Sequence, residues 1–144
     1  GCPGLALDLS SGALDSRREL RDRLLTVLGG SLSDISDWAT KVCKGSRSDW
    51  RPDVEELIDL VEELLRDAAL HGGGGQASPM HADIPQVVAA WSDALWPQGS
   101  ARCAQATREA RANLVRNVSG RTLLEALVTR IATELGAARK AGLG

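Results

Sequence analysis

The side chains best suited to chemistry are few and lie far apart in the sequence. His71 and His81 flank a run of glycines, and the cysteines are Cys2, Cys43 and Cys103. Zinc and redox sites built from cysteines need closely spaced C-x-x-C pairs, and the sequence has none. It also suggests no Ser/His/Asp or Cys/His grouping of the kind that activates a nucleophile. We therefore predict reduced thiols, solvent-exposed histidines, and no catalytic, metal-binding or cofactor-binding residue.

Polar residues within otherwise apolar helical patterns form a second set. Arg66 and Asp67 lie within the clearest apolar pattern of the chain. Asn117, Arg121 and Glu125 follow at i, i+4 and i+8 on the last two predicted helices. Buried charges are costly unless they are paired. We therefore predict a structural polar network in which the Arg66/Asp67 pair contacts the face that carries the other three residues. Glu125→Ala should then be strongly destabilising if the partner of Glu125 is buried.

The composition indicates a folded core made mainly of aliphatic residues. The 144 residues suit one domain, and 43% of them are hydrophobic. There is no Phe and no Tyr, so Leu, Val, Ala and Ile have to fill the core around four Trp residues. Such a composition favours helices, because strands draw on aromatic and β-branched residues. We expect Trp38, Trp91 and Trp96 to anchor the core or an interface, with Trp91 in the core.

Apolar periodicity and helix-ending residues predict an all-α fold, a compact antiparallel helical bundle of five to six helices. Pro52 should lie in the first turn of the third helix, Asp83 should cap the fourth and Ser119 the sixth, and the chain should fray from Gly136. The glycines at 72–75 predict a flexible connection. The expected helices cover residues 14–28, 33–43, about 52–71, about 84–96, 101–116 and 120–135.

Charge is unevenly distributed along the chain. The net charge is −2, which argues against direct nucleic-acid contact, because phosphate binding usually needs a basic excess. Residues 51–75 hold seven acidic and two basic groups, whereas residues 99–140 hold eight basic and three acidic groups. These opposed surfaces either steer packing between subunits or pair within the bundle. The sequence shows no membrane span and no signal peptide, so we expect no membrane contact and a cytoplasmic location.

Four segments, taken in order, carry a likeness to a known family. Residues 1–7 look like a G-S-P-G-x-A-L element, residues 64–72 look like an L-R-D-L-L-L-x-x-G helix end, Asp83 fits an Asp before the next helix, and residues 116–131 look like a closing N-V-N-x-R-L-x-L-E-x-L-L-L-R-L pattern. Together they resemble the C-terminal domain of delta-prime subunits of the bacterial DNA polymerase III clamp loader. The likeness has departures, since Ser119 and Gly120 stand where relatives commonly have Asn and Pro.

The resemblance implies a division of the chain and a role in DNA replication. Residues 1–10 would end an AAA+ lid-like segment, and residues 11–144 would form a helical collar, an oligomerisation domain. Its partners would be the collar domains of the gamma/tau and delta subunits, and delta-prime would act as the stator that supports sliding-clamp loading. No intrinsic activity is expected of such a domain, which is an accessory part of a DNA-directed DNA polymerase holoenzyme.

Two alternatives stay open at the level of the sequence. The collar of the gamma/tau subunit shares this architecture, and a G-x-x-x-x-G-K-T loop upstream in the gene would identify it. An unrelated helical interaction or regulatory protein, or a small hydrolase, is the second alternative. An enzyme would need a pocket with convergent polar groups, which nothing in the sequence arranges.

Overall fold

The computed structural model describes the backbone of residues 3–74 and 78–143, and the side chains of residues 12–74 and 78–136. All regular structure within these ranges is helical, which confirms the predicted all-α bundle. The six helices are α1 Pro3–Leu28, α2 Leu32–Val42, α3 Arg47–Gly72, α4 Pro85–Leu95, α5 Gln98–Val115 and α6 Gly120–Leu143.

The first helix is longer than the apolar periodicity predicts. Helix α1 begins at Pro3 rather than near Leu14, so the boundary expected after residue 10 falls within one continuous helix. The side chains of residues 1–11 lie outside those that the structure describes. The division into a lid-like segment and a collar therefore stays a prediction.

Helix α3 begins earlier than predicted because of a local cap. Its first residue is Arg47, so Pro52 is the sixth residue of the helix and lies beyond the first turn. The preceding Ser46 is the N-cap, and its backbone N–H donates to the Asp49 carboxylate at 2.8 Å. A Ser followed three residues later by an acidic group is a helix-start signal.

The turn between α5 and α6 is a Schellman motif. The N–H of Val118 donates to the Asn113 carbonyl at 3.1 Å, and the N–H of Asn117 donates to the Leu114 carbonyl at 3.4 Å. Asn117 has φ 65°, the left-handed conformation that Asn tolerates better than most residues. The role of Asn117 is therefore to end helix α5.

Two other helix ends also differ from prediction. Ile84 rather than Asp83 is the N-cap of α4, and Pro85 is its first residue. Helix α6 begins directly after Ser119, but it continues to Leu143 instead of fraying from Gly136. Part of the predicted flexible connection, residues 75–77, lies outside the described residues.

Helices α3 and α6 form the centre of the bundle, since each contacts all five other helices. Helix α3 buries Trp50, Val54, Leu57, Ile58, Leu60, Val61, Leu64, Leu65, Asp67 and Ala68. Trp91 is only 5% exposed, which confirms its predicted place in the core, and Trp38 is also buried. Trp96 is 44% exposed. Burial of each large aliphatic side chain contributes about 1.5–3 kcal/mol, so this pair of helices dominates the stability.

Candidate functional site

The described turn that follows the glycine run is held by a buried carboxylate. Asp67, near the end of α3, is 1% exposed, and its two oxygens accept the backbone N–H groups of Met80 at 2.9 Å and His81 at 2.8 Å. Hydrogen bonds to an ionised carboxylate are stronger than neutral ones. Asp67 therefore fixes the chain where it returns to the bundle before α4.

His81 is buried in this turn, so the prediction that it is a solvent-exposed residue is wrong. Its Nδ1 lies 3.2 Å from Nη1 of Arg21, and its Nε2 lies 3.2 Å from the Glu63 carboxylate. Arginine only donates, so Nδ1 has to accept and Nε2 carries the proton that Glu63 accepts. The ring thus bridges α1 and α3. His71, by contrast, is exposed, as predicted.

Two arginines of α1 complete this cluster. Arg21 is 4% exposed and makes a two-pronged contact with Asp83, at 2.9 and 2.7 Å. Hydrogen bonding to Arg21 holds the pKa of Asp83 below its ordinary value. Arg17 donates to Glu63 at 2.7 Å and also pairs with Glu56. Asp83, which the family likeness places just before α4, anchors α1 to the turn through this contact with Arg21.

The geometry of this cluster suits a structural clasp better than a reaction site. Every carboxylate oxygen of Asp67 is occupied by a backbone donor, and Glu63 accepts from both Arg17 and His81. The adjoining cavity is about 100 Å³, well below the size of ordinary ligand pockets. Among the described residues, no group of three His, Cys, Asp or Glu side chains is placed to hold a metal ion.

Four of the five residues of the predicted polar network pair in two separate places, and the fifth, Asn117, lies in the turn that ends α5. Asp67 pairs with the turn, and Arg66 is half exposed, with Nη1 3.8 Å from an oxygen of Asp67. Glu125 instead accepts from Arg121 at 2.8 Å and from the Ser36 hydroxyl at 2.9 Å. No hydrogen bond or ion pair in the described part of the chain joins the two groups, which corrects the expected contact.

The expected contact does not form because backbone N–H groups satisfy Asp67 and because Arg121 and Glu125 are partly exposed to solvent. Asp67 finds its partners in backbone N–H groups that no pattern of charged residues reveals. Arg121 and Glu125 form an i,i+4 pair with side chains 54% and 33% exposed. Hydrogen bonding to Arg121, and then to Ser36, lowers the pKa of Glu125. The partner of Glu125 is therefore exposed, and the condition for a strongly destabilising Glu125→Ala substitution is not met.

The start of α6 packs unusually close to its neighbours. A Cβ atom added at Gly120 would lie 2.7 Å from the Trp50 ring and 2.8 Å from Sγ of Cys43. Nearby, Arg47 lies 5.4 Å from the centre of the Trp50 ring and donates to the carbonyl of Leu114 at the end of α5. A cation at the C-terminus of a helix is favourable. Gly120 thus allows α6 to dock on α2 and α3.

The opposed charges of residues 51–75 and 99–140 pair in part within the bundle. Arg111 of α5 contacts Glu62 at 2.8 Å and also pairs with Asp59. Arg102 instead pairs within its own segment, in a two-pronged contact with Glu134 that lowers the pKa of that carboxyl group. Of the two interpretations left open by the sequence, pairing inside the bundle accounts for Arg111.

The two cysteines that the structure describes, Cys43 and Cys103, do not form a disulfide bond. Cys103 is fully buried and Cys43 is half-buried, and both are free thiols. Burial raises the pKa of each to about 11. Thiols of that kind react slowly at neutral pH. Cys2 lies outside the described residues.

The spacing of charged residues in the sequence indicates part of the cluster around Arg21 and Glu63, although it was not among the predictions above. Arg17 and Arg21 are spaced i,i+4 on α1, and on α3 Glu56, Glu63 and Asp67 follow at i, i+7 and i+11. Both spacings place the residues along one side of a helix. Matching lines of opposite charge on two helices predict pairing. The distances to His81 and Asp83 could not be predicted, because they depend on how the chain turns after the glycines.

Comparison with known proteins gives no relative for this chain. It matches no family model, and neither the curated proteins nor the solved structures yield a significant similarity. Within the described residues, no helix has both the length and the apolar content needed to cross a membrane.

Proposed function

We propose that this chain is a subunit-assembly domain of a bacterial DNA polymerase III clamp loader, in the position of the delta-prime stator, where it supports the loading of the sliding clamp during DNA replication. Its partners in this role are the collar domains of the gamma/tau and delta subunits. The domain works in the cytoplasm and makes no direct contact with nucleic acid. It contributes contacts rather than catalysis to the holoenzyme.

The main support is the closing segment at residues 116–131, whose likeness to the family is the most extensive. Its residues hold the last helix in place. Asn117 ends α5 in a left-handed conformation, and Glu125 ties α6 to Ser36 of α2. Both contacts maintain the shape of the bundle and need no reaction site. That is the requirement of an assembly domain.

A second support is an apolar groove between α1, α4 and α6. Its volume is about 570 Å³, and its lining includes Leu25, Val87, Ala90, Ala94 and Leu135. Leu25, Val87 and Ala94 are only half-buried. Interfaces commonly have an apolar centre with a polar rim. In the proposed function, this groove receives a helix of a neighbouring collar domain.

Co-purification tests this proposal directly. The chain is mixed with the C-terminal domains of the gamma and delta subunits of the same organism, and the mass of the complex is measured by size-exclusion chromatography with light scattering. A hetero-oligomer is expected. A chain that stays monomeric with both partners would overturn the proposal.

Matched substitutions identify the interface in the same assay. Ala90 and Ala112 are both exposed alanines on helices, but only Ala90 lines the apolar groove. Ala90→Glu should weaken the hetero-oligomer, because it places a charge in an apolar contact. Ala112→Glu should leave it intact. Equal effects of both substitutions would mean that the groove is not the interface.

A further inference from the structure

A second groove, between α1 and α2, differs from the apolar groove in its charge. Its volume is about 940 Å³. Leu20, Val27, Trp38 and Val42 supply its apolar part. All but Trp38 are only half-buried, so apolar surface remains accessible. We refer to it as the acidic groove.

The acidic groove has twice as many carboxylates as cations. The cations are Arg18, Arg23 and Lys41, and the carboxylates are Asp15, Glu19, Asp22, Asp34, Asp37 and Asp53. Three of the carboxylates are engaged: Glu19 with Arg23, Asp22 with Arg21, and Asp34 in the cap of α2. Within the described part of the chain, the other three, Asp15, Asp37 and Asp53, make no hydrogen bond or ion pair. Of the cations, Arg23 pairs with Glu19, whereas Arg18 and Lys41 make no hydrogen bond or ion pair in that part of the chain, so the groove keeps a small excess of unpaired negative charge.

Five of the six carboxylates lie on α1 and α2, the two helices that form the walls, and Asp53 lies on α3. On α1, Asp15, Glu19 and Asp22 are spaced i, i+4 and i+7, which places them along one line. On α2, Asp34 and Asp37 are one turn apart. Helix α2 has 11 residues, so the groove is about 16 Å long, enough for roughly three turns of a bound helix.

Trp38, on this groove, carries a buried hydrogen-bond donor without an acceptor. The side chain lines the groove and is nine-tenths buried, yet its indole Nε1 has no acceptor in the described part of the chain. Buried donors without acceptors are rare in folded proteins. Because Trp38 lines the groove, its indole resonance can report on a segment that binds there.

We propose that the acidic groove binds a basic amphipathic helix of a partner protein. The apolar side of that helix packs on Leu20, Val27 and Trp38, and Lys or Arg residues on its flanks pair with Asp15 and Asp37. This is the helix-in-groove mode of recognition. The complementary charges orient the bound helix and increase its rate of association. The proposal does not depend on the clamp-loader role, because it uses a different surface and only the chemistry of that surface.

A designed peptide pair tests the proposal on the chain itself. The first peptide is an amphipathic helix of about 15 residues with Leu on one side and Lys on both flanks, and the second has Glu in place of each Lys. Fluorescence anisotropy of labelled peptide measures the affinity, and amide and indole NMR shifts locate the site. We expect the Lys peptide to bind at least ten-fold more tightly, to shift α1, α2 and the Trp38 indole, and to weaken with added salt.

Matched variants make the test specific. Asp15 and Asp37 are exposed, so the double variant Asp15→Asn/Asp37→Asn should keep the fold and weaken the Lys peptide roughly three- to ten-fold. Asp93→Asn makes the same change at an exposed site in the apolar groove, and should leave affinity unchanged. Equal affinity of the two peptides, an unaffected double variant, or shifts confined to α4 and α6 would each overturn the proposal. Failure of co-purification with clamp-loader domains would leave it standing.

Discussion

Replacing Asp67 with Asn tests whether a buried carboxylate holds the turn after the glycine run. The two side chains have the same size, but Asn offers one acceptor oxygen where Asp offers two. Both oxygens of Asp67 already accept, one from Met80 and one from His81, so the amide NH₂ group would face a backbone N–H. Losing one charge-assisted hydrogen bond costs about 1.5–3 kcal/mol, and weakening the second costs about 1 kcal/mol more. We expect the free energy of unfolding to fall by about 2–4 kcal/mol.

Urea denaturation followed by tryptophan fluorescence and circular dichroism measures this change. The midpoint should fall while the slope stays constant, and the melting temperature should fall by about 6–14 °C. Asp93→Asn is the control, because its side chain is exposed and makes no contact with a charged partner in the described residues. It should change the stability by less than about 0.5 kcal/mol. If Asp67→Asn also stays within that range, the clasp does not stabilise the fold.

Three further predictions concern the start of α6 and the thiols. Asn117→Gly should preserve or raise stability in urea denaturation, whereas Asn117→Val should lower it by about 1–2 kcal/mol, because Val does not tolerate the positive φ; equal stabilities would contradict the role of Asn117. Gly120→Ala should lower stability by about 1–3 kcal/mol despite the better helix propensity of Ala, since the methyl group would press on the Trp50 ring; thermal denaturation that shows a gain would contradict this. Cys43 and Cys103 should react with iodoacetamide at pH 8 far more slowly in the native protein than in urea, because burial raises the pKa of both thiols to about 11; peptide mass mapping that finds equal rates would refute the burial argument.

The helical fold could be predicted because its signal is repeated many times along the chain. In α3, apolar residues follow i, i+3, i+4, i+7 spacing over several turns, and the structure buries them. Helix ends were less predictable. Each depends on one or two polar residues, and Ser46 with Asp49 resembles an ordinary polar loop unless the capping spacing is considered.

The polar cluster was predictable only in part, because the partners of Asp67 are backbone groups and not side chains of opposite charge. A charged residue within the apolar face of α3 correctly indicated that Asp67 is buried and needs partners. The partners are backbone groups 13 and 14 residues away, across the glycine run. Helical periodicity carries no information about where a chain returns after such a break. That is why His81 was predicted to be solvent-exposed and the partners of Asp67 were predicted on the last two helices.

Two sets of contacts fix the path of the chain between consecutive helices. Asp67, Arg21 and His81 fix the chain where it returns to α4, and Asn117 and Gly120 fix it where it turns into α6. Without such contacts at the turns, the angle between two consecutive helices could vary, because apolar packing alone is not directional. A domain that presents helix faces to other proteins needs those angles to be constant.

Because these internal contacts hold the helices in place, only some substitutions can test the function. Changing Asp67 or Gly120 would disturb the bundle, so a loss of partner binding would reflect lost stability whatever the true partner is. The surface positions behave differently, because Ala90 in the apolar groove and Asp15 at the acidic groove are exposed. Their substitution changes a surface while the internal contacts remain. Substitutions at these positions can change binding without changing the stability of the fold. Because each proposal concerns its own groove, they also test the clamp-loader proposal and the basic-helix proposal independently.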